Sequence, residues 1–235
     1  MKMLEILKRE LRGYFFSPIA YVLVGFYLLI SGYFFSTFVL STHYAVLSPV
    51  LGSMVTVFMF VAPILTMRLI AEDMKTGTDQ LLLTSPITVT DIVIGKFLSA
   101  VLVYLVALVI TFLYPIYLKI YSSPDMGPVI SGYIGLFLIG VTFISMGIFA
   151  SSITENQMIA GIIGFALILG FWLISWLGDV FTGRARVIFQ SLSFFDRLNN
   201  FQKGIVNLSD AVFFISVIVF FIFLTIRVVD KRRWS

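Results

Sequence analysis

From Gly13 to Met67 the chain runs for 55 residues without one Asp, Glu, Lys or Arg. Soluble domains carry about a quarter charged residues, so a stretch this long without any cannot clothe itself in polar surface. A membrane-spanning helix needs about 20 apolar residues. The run therefore holds two spans, divided by the polar break Ser41-Thr42-His43 and Ser48-Pro49. The rest of the chain follows suit, with 60% hydrophobic and 12% charged residues and 25 Phe. That composition excludes a soluble enzyme or a nucleic-acid binder. The first apolar run is also too long for the h-region of a signal peptide, which is about 7–15 residues. No small-x-small cleavage site follows it, and we read it as an uncleaved first span.

The pattern predicts an all-α, polytopic membrane fold in a single domain over residues 1–235, with six transmembrane helices. The spans are expected at Ile19–Leu40, Pro49–Ile70, Phe97–Leu118, Val129–Ser151, Gln157–Gly178 and Leu208–Val228. Asp210 falls in the first turn of the sixth, at the interface. Six spans put both chain ends on one side. That side carries 11 basic residues, among them Lys8, Arg9, Arg12, Arg68, Lys75, Lys96 and Arg227, against 5 on the other. The positive-inside rule then predicts a multi-pass protein of the inner (cytoplasmic) membrane with both termini in the cytoplasm.

Three segments outside the spans carry information. In residues 1–17, Met3, Leu4, Leu7 and Leu11 share one helical face with Lys8, Arg9 and Arg12 among the polar positions, which predicts an interfacial amphipathic helix. It is read either as a basic anchor or as an element with a further role. Residues 179–209 mix apolar and charged positions, as short external helices dipping into the outer interface do; a structural cap over the spans is the plainer reading. The third segment is the cytoplasmic loop of residues 71–96. Thr88 and Asp91 have capping-box spacing and open the helix of the third span. Gly77 stops a preceding helix, and Thr78 can cap a short following one. Leu81, Leu82 and Leu83 then stand in a water-facing loop without an evident partner in the chain, so they lie either on the inner leaflet or in a groove of a cytoplasmic partner. Thr154 and Gln157 repeat the capping-box spacing before the fifth span.

The chemistry that is missing narrows function further. The chain has no cysteine and one histidine, His43, in an external turn. Its carboxylates fall in loops or at span ends, never at a predicted span centre. Catalysis within the membrane, or proton coupling, needs an ionisable group at depth, where it costs about 2.5–3.5 kcal/mol on insertion scales. The only Gly-Lys pair, Gly95-Lys96, precedes Phe97 and has no upstream glycine, so it is not a phosphate-binding loop. No catalytic residue, metal site or cofactor is expected in this chain, and any uphill transport needs a separate ATPase. Within the spans, Ser53, Thr56, Phe60 and Pro63 recur at helical spacing on one face of span two. That face lines either a pathway, a dimer seam or an ordinary packing surface. Gly140, Gly147 and Ser151 share a face of span four, which is a close-packing device between helices in lipid.

The loop from Arg68 to Asp91 resembles the signature of ABC-2 type transporter permeases: an acidic residue, Gly77-Thr78 a few positions on, then leucines and Pro86. Leu7-Lys8-Arg9-Glu10-Leu11, Ser17-Pro18-Ile19-Ala20-Tyr21, Gly147–Ser152, Thr154–Gln157, and Ser193–Asp196 through Lys203-Gly204 are similar to the gliding-motility, GldF-like branch. The resemblance runs over nearly the whole chain. It implies a permease that is not itself an ATPase, paired with a second permease chain as a homodimer or heterodimer and driven by ATP-binding cassette subunits that hold ATP and Mg. Carried over, Glu72, Gly77, Thr78, Leu81, Leu82, Leu83 and Pro86 form the ATPase-coupling loop. Export is the implied direction, residues 179–209 become an outer re-entrant gate or lid, and a membrane-anchored periplasmic auxiliary protein is an expected further partner. The alternative is an anchor that relays ATPase motion to a periplasmic partner and transports nothing.

Overall fold

The computed structural model describes residues 2–42, 46–78, 87–121, 124–180 and 193–232. Among them there is no strand. The helices are α1 (Lys2–Phe16), α2 (Pro18–Thr42), α3 (Ser48–Thr66), α4 (Ala71–Thr76), α5 (Val89–Thr111), α6 (Leu113–Tyr121), α7 (Met126–Ile153), α8 (Gln157–Val180), α9 (Phe194–Gln202) and α10 (Leu208–Arg232). Among the described residues six stretches are long and apolar enough to cross a membrane: Pro18–Ser41, Ser48–Thr76, Val89–Tyr121, Met126–Ile153, Gln157–Ser175 and Leu208–Arg232. They overlap the six expected spans in order. We call the face carrying α1, α4 and the α7–α8 turn the near face, and the face carrying α9 the far face.

Local sequence sets the ends of the helices. The Thr88 hydroxyl accepts from Asp91 N at 3.1 Å and donates to Asp91 Oδ2 at 2.7 Å, so Thr88 caps α5, which starts at Val89, while the reciprocal half of the expected box does not form. The third helix is therefore two turns longer on the near side than the span read from hydropathy. The expected box at Thr154 and Gln157 is corrected. Asn156 Oδ1 takes the amides of Met158 and Ile159 at 2.9 and 3.3 Å, while Thr154 Oγ1 only holds Asn156 N. Asparagine is the better cap because its oxygen reaches two free amides of the first turn. The break at Phe112 between α5 and α6 has its cause in Pro115, which has no N–H to give Thr111 O four residues back. Tyr133 supplies the missing donor, its hydroxyl bonding that carbonyl at 2.8 Å.

At the centre stands α7, with 78% of its span buried, flanked by α3 at 67%. By contrast α2, α8 and α10 are mostly uncovered and present Leu, Ile, Val and Phe outward, as lipid-facing helices do. The expected small-residue face of α7 makes the close contacts. Gly140 lies against the Tyr104 ring of α5, Gly147 against Thr66 of α3, and Ser151 bonds the end of α3. Tyr104 is buried, stacks on Phe58 with ring centroids 4.0 Å apart, and donates its hydroxyl to Leu136 O at 2.7 Å.

Candidate functional site

The near face is built around a corner. Helix α3 ends at Thr66, residues 67–70 turn, and the six-residue α4 runs on from Ala71. A helix that short cannot hold itself and depends on its neighbours. Its first amides are capped from another helix: Ser151 Oγ on α7 accepts from Ile70 N and Ala71 N, both at 3.0 Å, and donates to Met67 O at 2.9 Å. Gly77 ends α4 in the left-handed conformation at φ 70°, as expected of a helix stop there. Arg68 Nε pairs with Glu72 across one turn at 2.9 Å.

Below α4 lies a cluster of ions around one buried lysine. Lys96 Nζ on α5 meets Asp73 Oδ2 of α4 at 2.6 Å, Glu10 Oε1 of α1 at 3.0 Å, and the Leu69 carbonyl of the corner. Arg9 closes the circuit, at 2.7 Å from Glu10 and 3.3 Å from Asp73. Lys96 is 2% exposed. Two cations and two carboxylates leave the cluster neutral, which a buried site requires. Tyr14 of α1 donates to Leu65 O at 2.7 Å beside it. A cavity of ≈ 50 Å³ between Arg68, Glu72 and the cluster has room for about one or two waters of about 30 Å³ each.

Burial by itself raises the Glu10 carboxyl, yet Lys96 and Arg9 outweigh it and hold Glu10 below its ordinary value. A lowered folded-state pKa stabilises the fold above the unfolded value and loses that stabilisation as pH falls through the folded one. Acid is therefore expected to release α1 only below the ordinary carboxylate range. The mobility of a spin label at Leu4→Cys should stay unchanged down to that point. Gain of mobility at mildly acidic pH would show that Glu10 does not hold the helix.

The residues expected from sequence are distributed as follows. Glu72, Gly77 and Thr78 sit on and just after α4, with Thr78 Oγ1 2.9 Å from Thr76 Oγ1. Leu81, Leu82, Leu83 and Pro86 lie outside the described residues, as does His43. Ser53, Thr56 and Phe60 share the uncovered stripe of α3 together with Ile64, and both hydroxyls bond carbonyls of their own helix. Pro63 is buried one step round, 3.6 Å from the position a Gly164 side chain would take on α8, so it is not on that stripe. On α1 the face turned to the protein is Ile6, Glu10 and Tyr14, while Leu4 points away.

Sequence reading missed Glu10, Asp73, Lys96 and Ser151 as a constellation. Lys96 was expected to bound a span; it lies inside α5, in the second turn beyond the cap. The signal was present, because a helix opened by Thr88 places Lys96 well within it. Asp210 is likewise no solvated interfacial residue. It is buried on the far face, its two oxygens taken by Arg197 at 2.7 Å and Asn200 at 2.9 Å of α9. Helix α9 itself packs Phe194, Leu198 and Phe201 inward, and Ser131 and Ser48 bond its last carbonyls at 2.6 and 2.8 Å. Among the described residues no group of His, Cys, Asp or Glu could hold a metal.

Comparison with known families matches residues 34–232 to a model described as ABC-2 family transporter protein. No curated protein matches the chain.

Proposed function

This chain belongs to the ABC-2 transporter family, and from that premise we propose an exporter permease whose separate ATPase subunits dock on the near face around α4. A multi-pass, membrane-spanning permease component is what the family and the six apolar helices establish. The finer reading is ours. The observation that carries it is the anchoring of α4: a six-residue helix tied to α1, α5 and α7 and followed by a left-handed glycine and three leucines. Through those ties a push on α4 would reach three other helices. The excess of Lys and Arg supports a cytoplasmic near face, and so an inner-membrane protein with both termini inside. ATP and Mg belong to the docked subunits. The uncovered Ser53, Thr56 and Phe60 stripe is the surface proposed for a second permease chain, of the same or another sequence. The GldF-like branch, and with it a periplasmic auxiliary partner, rests on the motifs quoted above.

The test is a pull-down of the tagged chain from its native membranes in mild detergent, with partners identified by mass spectrometry. Recovery of an ATP-binding cassette protein is expected, reduced at least tenfold when Leu81, Leu82 and Leu83 are changed to serine. Recovery of the chain alone would overturn the reading. Recovery unaffected by the serines would move the docking surface elsewhere.

A further inference from the structure

We propose that Lys96 is a positioning residue that locks α4 and α1 to the third span, so that a displacement of α4 enters the bundle through α5. The inference rests on the reading of α4 as the element the ATPase moves. An ammonium group has three hydrogens to donate. Here two hydrogen bonds go to Glu10 of α1 and the Leu69 carbonyl of the corner, and Asp73 of α4 is ion-paired at 2.6 Å. Sliding any of these past α5 strips a partner from a cation that is 2% exposed. The low dielectric around so buried an ammonium makes that loss costly.

The covalent route from α4 into the bundle is softer. Residues 67–70 are turn rather than helix, so α3 and α4 are not one rod. Helix α5, by contrast, runs unbroken from Val89 to Thr111, past Lys96 and deep into the bundle. Gly95, next to Lys96, lets α1 lie directly on α5; a side chain there would sit 3.0 Å from Ile6 Cγ2 and 3.2 Å from Met3 O. Thus α1, α4 and α5 meet at one place, and the charge that joins them is the one at Lys96. Buried ion networks can often be exchanged for apolar groups without loss of stability. That separates the two roles of Lys96: holding the fold, which neutral groups can replace, and locking three segments in register, which they cannot.

The experiment uses the complete complex recovered by the pull-down, reconstituted in lipid nanodiscs. The chain has no cysteine, so spin labels at Leu113→Cys and Leu173→Cys, both on exposed positions near the far face, report α6 against α8. In the otherwise unaltered chain, ATP with vanadate should shift the distance between them. K96M should abolish the shift while the ATPase still co-purifies in equal amount. Because K96M leaves two carboxylates to the half-exposed Arg9 alone, the triple variant Glu10→Gln, Asp73→Asn, Lys96→Met is measured beside it. It should regain the thermal midpoint and still show no shift. A full shift in either folded variant, or no shift in the otherwise unaltered chain, overturns the proposal. So does a triple variant that cannot fold, which would make the cluster purely structural. Absence of any ATPase from the unaltered complex overturns instead the reading of α4 on which the proposal stands.

Discussion

Replacing Gly140 by alanine is expected to cost about 3 kcal/mol of folded-state stability. The new methyl group would overlap the ring of Tyr104. That ring cannot swing away: it is buried, stacked on Phe58, and its hydroxyl is bonded to Leu136 O. Helices α5 and α7 must separate instead, and in lipid no hydrophobic force between helices compensates for lost packing. Gly147→Ala, which overlaps the buried Thr66 side chain, should cost somewhat less, because its rotation breaks only the hydroxyl's shared bond to Ala62 O and Pro63 O of its own helix. Gly170→Ala is the control, since nothing lies within 4 Å of its added carbon. Thermal midpoints of the detergent-purified variants, read by fluorescence-detected size exclusion, decide the matter. A Gly140→Ala protein as stable as the Gly170→Ala control would mean that α5 and α7 do not approach as closely as described.

That contact also shows how far sequence could reach. The recurrence of Gly140, Gly147 and Ser151 at helical spacing marked the packing face of α7, because small residues on one helical stripe have few other uses in lipid. The six spans were legible for the same reason that the fold class was: charges cost so much inside a bilayer that their absence marks the helices. What sequence could not supply was partnership at long range. Glu10 and Lys96 stand 86 residues apart, and no periodicity links them. A charged residue near a span also defaults to the interface, which is where Lys96 and Asp210 were both expected. Each is buried because a short helix outside the spans, α4 or α9, folds over it and brings the opposite charge. The interfacial helix shows the same limit. Of the apolar face read from hydropathy only Leu4 is exposed and Leu11 packs against the core, whereas the stripe that is most buried contains Glu10, which any apolarity scale counts as outward-facing.

Asp210→Ala should destabilise the far face by about 2–3 kcal/mol, less than the full cost of breaking a wholly buried pair, since Arg197 keeps some contact with solvent. Both carboxylate oxygens are in use, and Arg197 lies 4.1 Å from the Phe213 ring, so one side chain of α10 organises a cation, an amide and an aromatic face. Asp210→Asn discriminates charge from shape. The amide keeps the volume but has only one oxygen, so it can accept from Arg197 or from Asn200 and turns an N–H₂ toward the other donor. Its stability should fall between those of the parent chain and the alanine variant. Asp196→Asn, on the exposed side of the same short helix, should change little, within about 0.5 kcal/mol. If Asp210→Ala proves neutral in thermal unfolding, α9 is held by Phe194, Leu198 and Phe201 alone. If it falls as expected, α9 is fixed by charge as well as by packing, and an outer gate built from residues 179–209 has to open elsewhere than at α9.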